Sequence, residues 1–338
     1  MAKRVTIETL AEWLRQRDDY VLLGHVAPDG DAAGCCLGMC LALKAMGKRA
    51  VVCLPGGIPR MYAGLPGADE VLDTERVTPE ALPFAPKTAF ALDVSEPERL
   101  GKAGIALFAA CPDQAALDHH NTNPGFGQVY VLDGDAAAAG ELVVNLIDEL
   151  DVALTRAMGE CLFVAISTDC GQFNYSNTRP ETFLAVARCA EADIDIAGIT
   201  ESLYRTRSVG RTKLLGLALA GLEVSPDGQL AWARVTEDML RRAGAIREDK
   251  EGIVNYLQEM DGVRIAVLAE EQGSQTKFSL RASAPLNVAR DVAVPLGGGG
   301  HDCAAGVTVP LPMEEALVKV LALAREALNN NEKSGMKG

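Results

Sequence analysis

Short apolar runs, each closed by a polar or turn residue and separated by helix-length stretches, recur along the first half of this chain. They fall at 20–23, 50–54, 89–94, 116–117 and 129–132, with helical stretches at 32–46, 141–150, 155–167 and 181–190. A four- or five-residue run without polar alternation suits a strand buried on both faces, as in a parallel sheet covered by crossover helices. Strand alternating with helix implies βαβ units, and such sheets bind ligands beyond the carboxyl ends of their strands. At ~150 residues per domain, 338 residues make roughly two. The fold class expected is α/β in two domains: an N-terminal parallel-sheet domain and a smaller C-terminal α/β domain. The expected bounds are 1–192 and 214–328, joined by a helical connector at 193–213 and followed by a disordered tail at 329–338. In the second domain, strands are expected at 229–235, 263–268, 277–281 and near Val307. Helices are expected from Thr236, over 252–260 and over 313–328.

Charge narrows the function classes. Lys+Arg 32 against Asp+Glu 46 leaves a formal charge of −14, which excludes a long-duplex binder that neutralises many phosphates. A small anionic substrate held by a few cations remains open. No apolar run reaches membrane-span length, and the first residues do not read as a signal peptide. Nine cysteines without a CxxC pair suit reduced thiols in the cytoplasm. Cys35, Cys36 and Cys40 sit on an apolar helix and read as buried small side chains.

Four histidines stand in the whole chain, each in a motif-like setting. His25 opens His25-Val26-Ala27-Pro28-Asp29-Gly30-Asp31 after an apolar run. Asp93 closes another, Asp118-His119-His120 closes a third, and Asp169 follows a helical stretch. His/Asp sets without thiolates suit Mn²⁺, Fe²⁺, Co²⁺ or Mg²⁺. So many ligands exceed the need of one ion, and two ions ~3.5–4 Å apart are a known clamp for phosphoryl hydrolysis. Each part alone has a plainer reading: Asp-x-Asp as a turn pair, Asp93 as a helix N-cap. In the second domain, Gly297-Gly298-Gly299-Gly300-His301 lets backbone N–H groups approach an anion, or makes a tight turn. Arg281 and Ser283 alternate at a strand end and suit a phosphate, or a plain surface.

Together these residues resemble the four successive motifs of the DHH phosphoesterase superfamily: His25-x-x-Pro28-Asp29-Gly30-Asp31, Asp93, Asp118-His119-His120 and Ser167-Thr168-Asp169-Cys170-Gly171-Gln172-Phe173. The glycine run with His301 resembles the signature of its DHHA-type substrate-binding domain, so the likeness covers about residues 5–328. The layout, with Glu251–Leu257 and Ser279–Ser283 segments of the same type, is similar to bacterial bifunctional oligoribonucleases (nanoRNases) that also dephosphorylate 3′-phosphoadenosine 5′-phosphate (pAp). The resemblance implies two divalent cations, Mn²⁺ first, with Mg²⁺, Co²⁺ or Fe²⁺ as alternatives. It implies His25, Asp29 and Asp93 on one ion, and Asp31, Asp93, His119 and Asp169 on the other, with Asp93 bridging. His120 would act at the scissile phosphate as an electrostatic or proton-donating group, and Asp118 would orient a ligand. Arg281, Ser283, Gly298, Gly299, Gly300 and His301 would bind substrate. The implied activity is hydrolysis of short oligoribonucleotides to mononucleotides and of pAp to AMP; rivals are a phosphodiesterase of cyclic di-AMP or linear pApA and a non-catalytic nucleotide sensor. Implied partners are short RNAs, pAp or di-adenosine nucleotides and a second copy of the chain, with no long duplex and no membrane. Three single positions and one stretch depart from the pattern: Ala27, Cys170, Asp302 and the alanine run 136–139.

Overall fold

A computed structural model describes residues 2–77 and 81–335, leaving out the side chains of His301 and of residues 332–335. The chain divides into two compact units, Met1–Arg205 and Thr206–Gly338. The division falls inside the segment read as a connector.

The first unit carries β1 (Lys3–Arg4), α1 (Ile7–Arg15), β2 (Tyr20–Leu23), α2 (Gly30–Ala45), β3 (Ala50–Leu54) and β4 (Leu72–Asp73). It continues through β5 (Thr88–Leu92), α3 (Gly101–Ala110), β6 (Asp113–Asp118), β7 (Val129–Leu132), α4 (Ala139–Glu149), α5 (Arg156–Asp169), α6 (Pro180–Glu191) and α7 (Ile196–Thr200). Its seven strands form one sheet in the order β1-β7-β6-β5-β2-β3-β4, every neighbouring pair parallel. Side chains alternate across it. Tyr20, Leu22, Phe90 and Leu92 meet the α1, α2, α4 and α5 side. Val21, Leu23, Ala89 and Ala91 meet the face that Phe108 of α3 covers. Burial on both faces is why these strands are uninterrupted apolar runs. The strand order reverses between β2 and β5, because β3 and β4 build outward on one side and β6 and β7 on the other. That reversal is the place where such sheets open a crevice.

The second unit carries α8 (Val209–Ala220), β8 (Glu223–Val224), β9 (Leu230–Val235), α9 (Glu237–Ala243), α10 (Ile253–Gln258), β10 (Ile265–Gln272), β11 (Gln275–Ala282), β12 (Gly299–His301), β13 (Ala304–Val309) and α11 (Met313–Gly335). Its sheet is mixed, in the order β12-β13-β11-β10-β9-β8. The expected strands at 263–268 and 277–281 do pair antiparallel, as β10 and β11. The tail expected to be disordered from residue 329 is helical to Gly335, with 336–338 outside the described residues. Arg264 Nη2 donates to Asn331 Oδ1 at 2.7 Å and ties the extra turns to β10's start.

Candidate metal centre

Parallel strands deliver their polar ends to one edge. His25 lies just beyond β2, Asp93 directly follows β5, and β6 ends on Asp118 with His119 and His120 after it. β2 and β5 are the strands that flank the reversal of order. Helix termini bring the rest. Asp29 caps α2, accepting the N–H groups of Asp31 and Ala32 on Oδ1 at 3.1 Å each. Asp29 and Asp31 therefore do not both precede a helix starting at residue 32: the cap starts the helix at Gly30, two residues early, and Asp31 lies in its first turn. Glycines seat α2 on α5. A Cβ at Gly34 would stand 2.3 Å from the Cys161 carbonyl oxygen, and one at Gly30 would stand 2.3 Å from Thr168 Oγ1. This close approach sets Asp31 beside Asp169, the last residue of α5.

Three overlapping ligand groups result among the described residues: His25, Asp29 and Asp93; Asp31, His119 and Asp169; and Asp93, His119 and His120. His25 Nε2 lies 3.5 Å from Asp29 Oδ1 and 3.4 Å from Asp93 Oδ2. His119 Nε2 lies 3.3 Å from Asp169 Oδ2, 3.8 Å from Asp31 Oδ2 and 3.6 Å from Asp93 Oδ1. Asp93 thus turns Oδ2 to His25 and Oδ1 to His119. A backbone carbonyl orients each ring: His25 Nδ1 pairs with Val26 O at 2.9 Å and His119 Nδ1 with Ala136 O at 3.1 Å. Donation from Nδ1 turns each Nε2 toward the centre.

Asp93 is 2% exposed and left-handed, at φ 56, a conformation disfavoured outside glycine. Asp93 Oδ1 and His119 Nε2 are buried with no hydrogen-bond partner. Orphaned buried groups of this kind call for an explanation, and a carboxylate facing an imidazole lone pair fits a shared cation. Charge agrees. Burial pushes the Asp31 carboxyl well above its usual range, with Asp93, Asp169 and Asp29 adding repulsion. Burial likewise raises Asp93 against the pull of His25, and raises Asp169 to about 6. Burial works against a charged His25, but its bonds to Asp29 and Asp93 carry it up to about 10. The set carries more negative groups than its histidines can balance, and divalent cations would balance the rest.

Asp118 belongs to none of the ligand groups; its Oδ1 holds His120 Nδ1 at 2.8 Å. His120 also stands 3.6 Å from Asp93 Oδ1. Burial favours its neutral form, but Asp118 and then Asp93 outweigh it and raise the imidazole above its ordinary value.

Sequence reading passed over several supports. Asn123 Nδ2 donates to Asp118 Oδ2 at 2.7 Å and to Val94 O at 3.1 Å; its place three residues beyond His120 was the available signal. Asp31 accepts the N–H groups of Ala139 (2.6 Å) and Gly140 (2.9 Å), and the Cys35 thiol lies 3.1 Å from its Oδ1. The alanine run thus matters through its backbone, because Asp31 caps α4, whose own N-cap, Ala138, has no side chain for the task. Asn177 Nδ2 joins the same strap to the centre, donating to Ala137 O at 3.1 Å and Asp169 O at 3.3 Å. The exposed Arg99 guanidinium reaches within 3.3 Å of His25 Nδ1.

In the second unit, Arg281 is in β11 and pairs in register with Ala266 and Ala304; Ser283 lies just past the strand, its Oγ 3.4 Å from Gln258 Nε2. The glycine run is partly strand, since Gly299 pairs with Gly306 and Gly300 with Ala305. Packing accounts for two of its glycines: a Cβ at Gly298 would lie 2.3 Å from Gly306 O, and one at Gly300 2.5 Å from Ala304 O. Gly299 is open, with nothing that a Cβ would meet. The backbone of His301 belongs to β12, and its side chain lies outside the described residues. Asp302 accepts from the Asn287 amide.

Residues 19–166 match the DHH family, N-terminal domain, and residues 228–330 match the DHHA1 domain. Over 307 residues, 90% of this chain and 88% of the relative, the chain is 35% identical to the bifunctional oligoribonuclease and PAP phosphatase NrnA of Thermus thermophilus. It is 23% identical over 295 residues to the protein of the same name from Bacillus subtilis, covering 86% and 90% of the two chains. A crystal structure of an exopolyphosphatase-related protein from Bacteroides fragilis superposes with a TM-score of 0.88 at 26% identity, covering 96% of this chain and 95% of that one. With its ligand motifs gathered at one sheet edge and both domains matched in order, the chain belongs to the DHH family, a DHH domain followed by a DHHA1 domain.

Proposed function

We propose that this protein is a dinuclear-metal phosphoesterase that hydrolyses short oligoribonucleotides to mononucleotides and removes the 3′-phosphate of pAp to give AMP. The observation that carries the proposal is Asp93, buried, unpartnered at Oδ1 and shared by two ligand groups. The relatives named for those two activities support the substrate class. His25, Asp29 and Asp93 would hold one cation, and Asp31, Asp93, His119 and Asp169 the other, with Mn²⁺ as the working ion. When bound, such a pair supplies Lewis-acid neutralisation of the phosphate and eases attack by water.

The chain's own residues do the rest. His120, kept protonated by Asp118, donates to the leaving oxygen or neutralises charge on it. Asn123 and Val94 O fix Asp118, so the imidazole cannot turn away. Arg99 offers a cation beside the His25 group. Arg281, Ser283, the 298–300 backbone and His301 are assigned to the nucleotide's phosphate. Unpaired cysteines, eight of nine of them buried, fit a reducing compartment, for which we take the cytoplasm. A product time course on pAp, pApA, a five-nucleotide RNA, cyclic di-AMP and pyrophosphate with Mn²⁺ tests the reading. AMP from pAp and mononucleotides from the short RNA are the expected products. Turnover of cyclic di-AMP alone, or of none of the five, contradicts it.

A further inference from the structure

Directly after Asp169 the backbone enters a conformation that needs a reason. Gly171, Gln172 and Phe173 are left-handed in succession, at φ 56, 57 and 66, and two of the three have side chains. Such residues cost about 1–3 kcal/mol each and persist where the surroundings impose them. Here the surroundings do. Gln172 N donates to Ser167 O at 2.8 Å and Tyr175 N to Cys170 O at 3.2 Å. Asn174 Nδ2 donates to Gly171 O at 2.9 Å, and Phe173 stacks on Phe183 at 5.4 Å. The loop's product is the placement of one ring. Tyr175 lies flat against Gly171, where an added Cβ would meet Cζ, Cε1 and Cε2 at 2.4, 2.5 and 2.6 Å. Nearly equal distances to three ring atoms mean that a face, not an edge, rests on the glycine. Tyr175 nonetheless stays 58% exposed, so its other face is open. Phe183, the ring stacked on Phe173, is 55% exposed.

An open aromatic face resting on Gly171, itself two residues beyond a ligand of the phosphoester centre, matches the chemistry of a nucleobase, which stacks on such a face without regard to its identity. We infer that Tyr175 is the stacking platform for the base of the nucleotide whose phosphate lies at the centre, a subsite that prefers nucleotides over other phosphoesters. The inference rests on the phosphoester reading of that centre. It also explains glycine at 171: any side chain there would lift the ring from its seat.

The test is equilibrium binding by calorimetry to the full-length, Mn²⁺-supplied protein, with AMP and ribose 5-phosphate as probes. For Tyr175→Ala, the Kd for AMP should rise ~10-fold, as the loss of one base stack predicts, while the Kd for ribose 5-phosphate stays within twofold. Tyr175→Phe and Tyr175→Trp should retain AMP affinity, and AMP alone should quench the new indole of Tyr175→Trp. Gly171→Ala should weaken AMP selectively, as Tyr175→Ala does. Unchanged AMP affinity in Tyr175→Ala, a parallel loss of both probes, or a wild type that binds the two probes equally would overturn the platform. Failure of the hydrolase reading looks different: the wild type would leave pApA uncut while still preferring AMP through Tyr175.

Discussion

Both units bury charge, and one cluster in each is treated in opposite ways. In the second unit, Glu270 is 2% exposed and Lys250 8%. Lys250 donates to Glu270, and Arg247 Nη1 adds a bond at 3.0 Å. Burial works against the Glu270 charge, yet Lys250 leads the partners that hold its carboxyl below the usual range. In the first unit, Asp31 and Asp93 are buried as deeply but face other carboxylates, and Asp93 Oδ1 has no partner. Buried charge that is satisfied within the chain holds the fold together. Buried charge left unsatisfied marks where something else binds.

The largest effect should come from breaking the unsatisfied side. Asp93→Ala should lower phosphoester hydrolysis by orders of magnitude and reduce bound metal per chain. The metal-free protein should keep its fold, because the change removes a repelling carboxylate. Near-normal turnover and stoichiometry would end the bridging role. Glu270→Ala should do the reverse. It strands Lys250 in the interior, at a cost of about 3–5 kcal/mol, read as a lower denaturation midpoint, while metal stoichiometry is unchanged. Between them, Asn123→Ala should cost ~10- to 100-fold in kcat, as the loss of an outer hydrogen bond to a catalytic assembly does, with little change in KM.

The pH dependences should also have opposite signs. The Glu270 carboxyl is held below its unfolded value of 4.5, so its contribution is in place above that value and is lost as pH falls through the folded one. Asp169 is raised from 3.8 to about 6, so its contribution to the metal-free first unit is greatest below 3.8 and is lost as pH rises through 6. His25, raised from 6.5 to about 10, also favours lower pH, its contribution fading as pH climbs towards 10. Hydrogen exchange of metal-free protein between pH 5 and 8 should therefore show β5 and β6 opening more readily at the higher pH while β10 does not. Added Mn²⁺ should abolish the trend. Identical pH trends in both units would contradict the contrast.

How far the sequence spoke depended on whether a residue's side chain or its backbone did the work. Strands at 20–23, 50–54 and 129–132 are legible because burial on both faces leaves an unbroken apolar signature. The six candidate ligand side chains are legible as a set, because carboxylates and imidazoles recurring at the ends of successive elements have few joint uses besides a cation. The start of α2 was missed because Asp29, a candidate ligand, is also the helix cap. The 136–140 strap was missed because its contributions are carbonyl and N–H groups, which alanine carries as well as any residue. Tyr175 escaped notice because its value lies in a ring seated on Gly171, and that seating follows from three left-handed residues no pattern announces. The helix α1 was passed over despite its amphipathic order, Leu10, Ala11 and Leu14 buried against an exposed face.

The central claim is that Asp93 is shared by two cations. Its most direct test is a crystal structure of the Mn²⁺-soaked protein with anomalous scattering at the manganese edge, alongside elemental analysis of metal per chain. The account predicts two manganese peaks about 3.5–4 Å apart, one on His25 and Asp29, the other on Asp31, His119 and Asp169, with an Asp93 oxygen on each. A single peak, or two peaks with Asp93 bound to neither or only one, would contradict it.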